Sequence, residues 1–260
     1  MRSSTSYQKL LGRLVLLSGM LLLIPAMGLA GPPYTTDDPE PVEYQHWEFY
    51  LASQLSKDTD GWSGTCPHFE MNYGAYKNLQ LHVIAPLSFV QSTEASSHIG
   101  YGDTELGAKY RFIEEGKWRP QIGIFPIVEV PTGNSNKGLG NGHTQVFLPI
   151  WLQKSFGKWT SYGGGGYWIN PGTGNKNFSF VGWQIQRKLN ERLSVGTEIY
   201  HTSAKDIQGK SETRFNVGMV YDFNERNHLL FSAGRGITGE NKAQFYIAYQ
   251  LTIGPHTNKE

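Results

Sequence analysis

The sequence predicts an all-β protein: a closed antiparallel transmembrane β-barrel of about twelve strands, with N- and C-termini periplasmic. Three observations carry that reading. Apolar and polar residues alternate with period 2 from end to end, with no sustained 3.6-residue period. Short and long connections alternate along the chain. The first 30 residues read as an export signal, and Cys66 is the only cysteine, so the exported part has no internal disulfide framework.

The N-terminus comes first. Arg2, Lys9 and Arg13 give a positive start, and Leu14 to Ile24 form an apolar stretch too short to span a bilayer comfortably. Gly28 and Ala30 are the small residues before a cut after Ala30, so 1–30 is the expected signal peptide. A retained anchor is the alternative. No cysteine stands directly after the cut, which excludes a lipoprotein. Residues 31–45 are proline-rich and acidic, with Asp37, Asp38, Glu40 and Glu43. They are expected either in the periplasm or folded into the lumen as a plug.

The barrel is expected over 46–253. Trp47, Phe49 and Leu51 oppose Glu48; Phe69, Met71 and Tyr73 oppose Glu70 and Asn72; Leu79 through Phe89 oppose Gln80 and His82. In "GDTELGAKYRF", Leu106, Ala108, Tyr110 and Phe112 oppose Asp103, Glu105, Lys109 and Arg111. The split recurs at 121–130, 145–153, 181–189, 193–202, 212–223 and 242–253, with weaker strands at 159–169 and 228–236. Such strands have one lipid face and one lumen face. Aromatics collect near strand ends (Trp47, Tyr73, Tyr110, Phe112, Tyr221, Phe223), as an interfacial girdle would. Long loops are expected near 55–66, 91–99, 131–143, 170–177, 203–211 and 237–241. Pro86, Pro126 and Pro149 fall inside strands and predict bulges or kinks. The Gly163–Gly166 run predicts a flattened wall approached by an inner chain.

Composition excludes several classes. A net charge of +1 gives no basic field for nucleic acid. Charged residues are 17% and aromatics 13%, an unusual balance for a soluble domain. A mean hydropathy of −0.41 rules out a bundle of membrane helices. The eight histidines are dispersed without ligand spacing, so neither metal nor cofactor is expected. "DTDG" (58–61) lacks the rest of a calcium loop and reads as a turn.

Lumen-facing parity selects the candidate pore-lining residues. They are Glu48, Glu70, Asp103, Glu105, Lys109, Arg111, Glu129, Lys188, Glu198, Glu212, Arg214, Asp222 and Lys242. Eight acids against five bases imply at most a weak cation preference, or cross-strand pairs that hold the wall together. A twelve-strand barrel is ~24 Å across between backbones. Phe125, Phe147, Trp151 and Tyr200 share the inward parity and narrow it.

The segments "TDDPEPVEYQHWEFYLASQ" (36–54), "GDTELGAKYRF" (102–112), "PTGNSNKGLGNG" (131–142) and "GGGGYWINPG" (163–172) resemble the outer-membrane transporter family of the meta-pathway of phenol degradation. The resemblance implies an outer-membrane channel or transporter of a Gram-negative bacterium for passive uptake of small molecules, aromatic compounds among the candidates. The expected partners are outer-membrane lipid, a small-molecule solute and the barrel-insertion machinery. The polar tail "GPHTNKE" (254–260) displaces the usual terminal aromatic, which puts the candidate insertion signal at Tyr249–Ile253. Two alternatives stand beside the channel. One is a phospholipase-like barrel enzyme using His201 and Ser203, whose expected third group, an outward Asn or Asp, is missing because Asn216 has inward parity. The other is a structural or adhesive barrel without transport.

Overall fold

The computed structural model describes residues 32–93, 96–239 and 242–255. The expected signal peptide and most of the polar tail lie outside the described residues. The chain forms β1 (Trp47–Lys57), β2 (Gly61–Tyr76), β3 (Leu79–Ser92), β4 (His98–Tyr101), β5 (Thr104–Ile113), β6 (Gln121–Ile124) and β7 (Ile127–Val130). Then follow β8 (Gln145–Phe156), β9 (Trp159–Ile169), β10 (Phe178–Lys188), β11 (Leu193–Thr202), β12 (Glu212–Asn224), β13 (Asn227–Thr238) and β14 (Ala243–Ile253). A 3₁₀ turn, Ser135–Lys137, lies between β7 and β8.

All pairings are antiparallel between neighbours, and β1 pairs with β14 from Trp47↔Ile253 to Lys57↔Ala243. The sheet is therefore closed and has no edge to protect. β4 and β5 are two halves of one stave, broken at Gly102–Asp103, because both pair with β3. β6 and β7 are likewise two halves of one stave between β5 and β8. Fourteen segments thus make twelve staves.

The wall is inside out relative to a soluble protein. β10 alternates strictly, with Phe178, Phe180, Gly182, Gln184 and Gln186 buried and the residues between them exposed. Large apolar side chains stand exposed around the outside, among them Phe69 (61%), Leu148 (53%) and Val181 (55%). Polar side chains such as Gln184, Gln250 and Gln153 are almost fully buried inside. An apolar exterior this continuous needs lipid. At the short-turn end Trp47 stacks on Tyr73 at 4.2 Å and Tyr221 meets Phe223 at 5.2 Å, which builds the girdle.

The irregularities follow from proline chemistry. Pro126 separates β6 from β7. Pro149 stands on β8 between the pairs Ile127↔Phe147 and Ile124↔Ile150, opposite that gap. Two residues without N–H donors thus share one opening in the ladder. Pro86 borders a second disturbed patch, where β2 bulges between Thr65 and His68 and Gly102 N–H donates to Pro86 O at 2.9 Å. Pro149 departs from expectation on its other side, where its register with β9 runs unbroken through Gly166. The expected long loop at 55–66 is a further correction. Asp58 Oδ1 accepts the N–H groups of Asp60 and Gly61, which tightens 58–60 into a hairpin turn and keeps β1 and β2 paired as far as Lys57↔Trp62.

Candidate functional site in the barrel lumen

Residues 33–42 lie inside the barrel, and each contact has a specific cause. Ser232 Oγ donates to Pro33 O at 2.6 Å. The Thr35 and Thr36 N–H groups donate to Glu198 Oε1 and Oε2 at 2.8 and 2.7 Å. Asn216 Nδ2 also donates to Glu198 at 2.6 Å, so the buried carboxylate is hydrogen-bonded on both oxygens. Lys109 Nζ lies 2.9 Å from Asp37 and 3.5 Å from Asp38. Glu40 Oε2 accepts from Gln121 at 3.1 Å and Gln153 at 2.9 Å. Val42 N–H donates to Gln80 Oε1 at 2.9 Å. Gln80, Lys109, Gln121 and Gln153 sit near the short-turn ends of their strands and Ser232, Glu198 and Asn216 sit mid-strand, so the segment runs from the middle of the lumen to the short-turn end. Burial pushes the Asp38 carboxyl well above the ordinary carboxylate range, and the Lys109 ammonium opposes that shift.

The wall makes room with glycine. A Cβ on Gly196 would lie 2.7 Å from the Tyr34 hydroxyl, and one on Gly218 would lie 3.0 Å from the Tyr34 ring. Gly196 and Gly218 face each other across β11 and β12, so Tyr34 rests on bare backbone. A Cβ on Gly182 would lie 2.2 Å from Thr36 Oγ1, with Phe180 ring atoms next at 3.2 Å. Gly182→Val is therefore expected to lift Thr36 off the wall at a cost of ~1–3 kcal/mol. Added protease should then cut the 32–46 segment faster, while the folded barrel keeps its heat-modifiable gel migration. Unchanged cleavage would sink this reading. The Gly163–Gly166 run makes room for neighbouring rings. Its inward positions accommodate the rings of Trp151 and Phe147, and an outward one accommodates Trp183.

Above the segment lies a cavity of about 390 Å³ with two chemically distinct sides. One is aromatic: Phe125, Phe147, Trp151 and Phe180 line it with Trp168, which stacks on Phe147 at 4.8 Å, and Tyr200 completes their buried cluster. The other is polar and charged, with Glu48, His68, Glu70, His82, Glu105 and Lys109. His82 anchors it, with Nδ1 2.6 Å from Asn72 Oδ1 and Nε2 2.9 Å from Glu105. A second cavity of about 380 Å³ lies towards the long loops. Gln54, His68, Ile84 and Glu105 line both, so the two chambers meet along the β1, β2, β3 and β5 side of the wall.

The thirteen residues selected by parity sort into distinct surroundings. Glu48, Glu70, Glu105 and Lys109 line the inner chamber. Arg111 turns to Asn78, Gln121 and Glu40 at the short-turn end. Asp103 and Glu129 border the outer chamber. Glu198 holds the inner segment. Arg214 pairs with Glu212 on its own strand, and Asp222 with His228 at 2.7 Å. Lys188 and Lys242 are half-buried at opposite ends of the wall. Reading charges alone missed the neutral members of the site: His82, Asn72, Asn216 and the inward glycines at 182, 196 and 218. Their inward parity was available in the sequence. His201 bonds Thr213 at 2.9 Å and Ser203 Oγ accepts from Ser179 N–H at 2.9 Å, so each of the two candidate hydrolase residues is bonded elsewhere. Among the described residues no cluster of three or more His, Cys, Asp or Glu side chains is placed to hold a metal.

A closed barrel with an apolar exterior, a polar interior and a chain segment across its lumen is an architecture of the Gram-negative outer membrane, and this chain is an outer-membrane β-barrel of that class. Residues 55–249 match the family described as "Putative MetA-pathway of phenol degradation", and the chain belongs to that family. Its fold is similar to the COG4313 outer membrane channel from Pseudomonas putida F1, at 17% identity over 83% of this chain and 98% of that one, with a TM-score of 0.72. The KdgM porin is similar at 9% identity over 78% of this chain and 98% of that chain, TM-score 0.54. So is the translocator domain of the autotransporter NalP from Neisseria meningitidis, at 9% over 81% and 90%, TM-score 0.55. No curated protein sequence matches the chain.

Proposed function

We propose that the protein is a narrow outer-membrane channel for passive uptake of small molecules that carry an aromatic ring and a polar group. The carrying observation is the inner chamber, lined by an aromatic wall of Phe125, Phe147, Trp151 and Phe180 together with the polar and charged Glu48, Glu70, His82, Glu105 and Lys109, around a cavity the size of a small solute. The Trp151 indole N–H supports this reading. It is buried at the aromatic wall and has no partner among the described residues. The likeness to outer-membrane channels and porins supports a channel, and the family description supports aromatic solutes. Both termini belong in the periplasm on this reading, since β1 starts and β14 ends at the short-turn end. Lipid contacts the exposed apolar band, and the barrel-insertion machinery reads the end of β14.

The test is uptake by proteoliposomes of the purified protein, together with conductance in planar bilayers. A small aromatic acid or phenol should enter faster than a sugar of similar size, through a small and weakly cation-preferring conductance. Absence of both uptake and conductance from correctly folded protein would sink the proposal.

A further inference from the structure

We infer that Asp103 is the positioning residue of the 131–143 loop, holding it folded into the barrel over the outer chamber, and that this contact sets solute access from the long-loop side. The inference rests on the channel reading above and adds a second closure, opposite the N-terminal segment.

The loop leaves β7 and enters β8, yet it reaches back across two staves. A Cβ on Gly100 of β4 would lie 3.1 Å from Leu139 Cδ1, and one on Gly138 would lie 3.4 Å from Val90 of β3. Gly100 and Val90 both have lumen-facing parity, opposite the exposed Ile99 and Tyr101 and the exposed Gln91. Leu139 is thus turned into the lumen, while residues 134–138 before it stay exposed. Leu139 is the one large apolar residue in "GNSNKGLGNG", and it is 5% exposed. It is the loop's foot in the lumen, where it lines the outer chamber with Gly138, Gly140 and Asn141.

Asp103 holds both limbs of that loop. Gly133 N–H donates to Oδ1 at 2.9 Å and Asn141 N–H to Oδ2 at 2.5 Å. A Cβ on Gly140 would lie 2.2 Å from Oδ1, so glycine is what lets the carboxylate approach this closely. Its neighbours reinforce the contact. Thr132 Oγ1 donates to Gly102 O at 2.8 Å and accepts from Thr104 N–H at 2.9 Å. The carboxylate fills the break between β4 and β5, where the backbone turns out of the ladder. Two backbone donors on one carboxylate make strong, oriented bonds, and only an acceptor on both oxygens satisfies them. Asparagine would aim a donor at one of the two N–H groups.

The test uses full-length protein with Cys66→Ser and Leu139→Cys, probed with a membrane-impermeant maleimide. Asp103→Ala is expected to raise the labelling rate at least tenfold and Asp103→Asn by a smaller factor, with heat-modifiable migration retained in both. Conductance of the Asp103→Ala barrel should exceed its parent's severalfold. Tying Leu139→Cys to Gly100→Cys with a short bis-thiol cross-linker should return it to the parent value. Unchanged labelling in a conducting, folded Asp103→Ala barrel overturns the inference. Faster labelling without conductance in any variant upholds the loop contact and overturns the channel reading instead.

Discussion

Lys109→Ala is expected to detach the N-terminal segment from the wall and to lower barrel stability by about 3 kcal/mol. Lys109 is buried and meets both Asp37 and Asp38, and Asp38 is fully buried. Removing one partner from a buried ion pair costs ~3–5 kcal/mol, mostly because the other charge is left without compensation. The lower end applies here. Burial already disfavours the charged form of Asp38, and Asp37 is partly exposed and within reach of water. Urea unfolding in lipid vesicles measures the loss. Lys109→Met with Asp37→Asn and Asp38→Asn should recover most of it, since no buried charge then remains. If Lys109→Ala alone unfolds at the parent's midpoint, the ion cluster is not what secures the segment.

Deleting residues 33–43 is expected to raise single-channel conductance on the order of tenfold, because a bore ~24 Å between backbones keeps a free passage of roughly half that width once the crossing chain is gone. The deletion removes every acid of the segment and leaves Glu198, Lys109, Gln80 and Gln121 facing an open lumen. These are polar groups in reach of water, so the wall should tolerate the loss and keep its heat-modifiable migration. Conductance unchanged from the parent would move the narrowest point to the 131–143 loop. The deletion combined with Asp103→Ala then becomes the widest form of the barrel.

The fold was legible because a barrel wall repeats one physical instruction. Each stave has to offer hydrocarbon to lipid and polarity to the lumen, and parity alone records that. Twelve staves and the positions of the short turns follow from it, as do the disturbances at Pro86 and Pro126. The rest depends on what meets what across the lumen. Parity put Asp103 inside, but only the fold brings Gly133 and Asn141 to it from 30 residues or more along the chain. Glu198 read as a lumen charge, and its partners are backbone N–H groups more than 160 residues away. The four-glycine run drew attention because it is conspicuous. The inner chain rests on single glycines spaced along different strands, which no local pattern marks. Neutral residues such as Asn72 and Asn216 carried no signal by charge, although they orient His82 and Glu198.

Tyr34, Thr36 and Pro39 each meet a wall position where a side chain is missing: Gly196 with Gly218, Gly182, and Gly123. The wall is in this sense a mould of the segment, cast in absent atoms. A mould couples the two parts in their histories as well as in their contacts. Bulk gained at one of those glycines has to be matched by bulk given up in the segment, so the two stretches are bound to change together or to part.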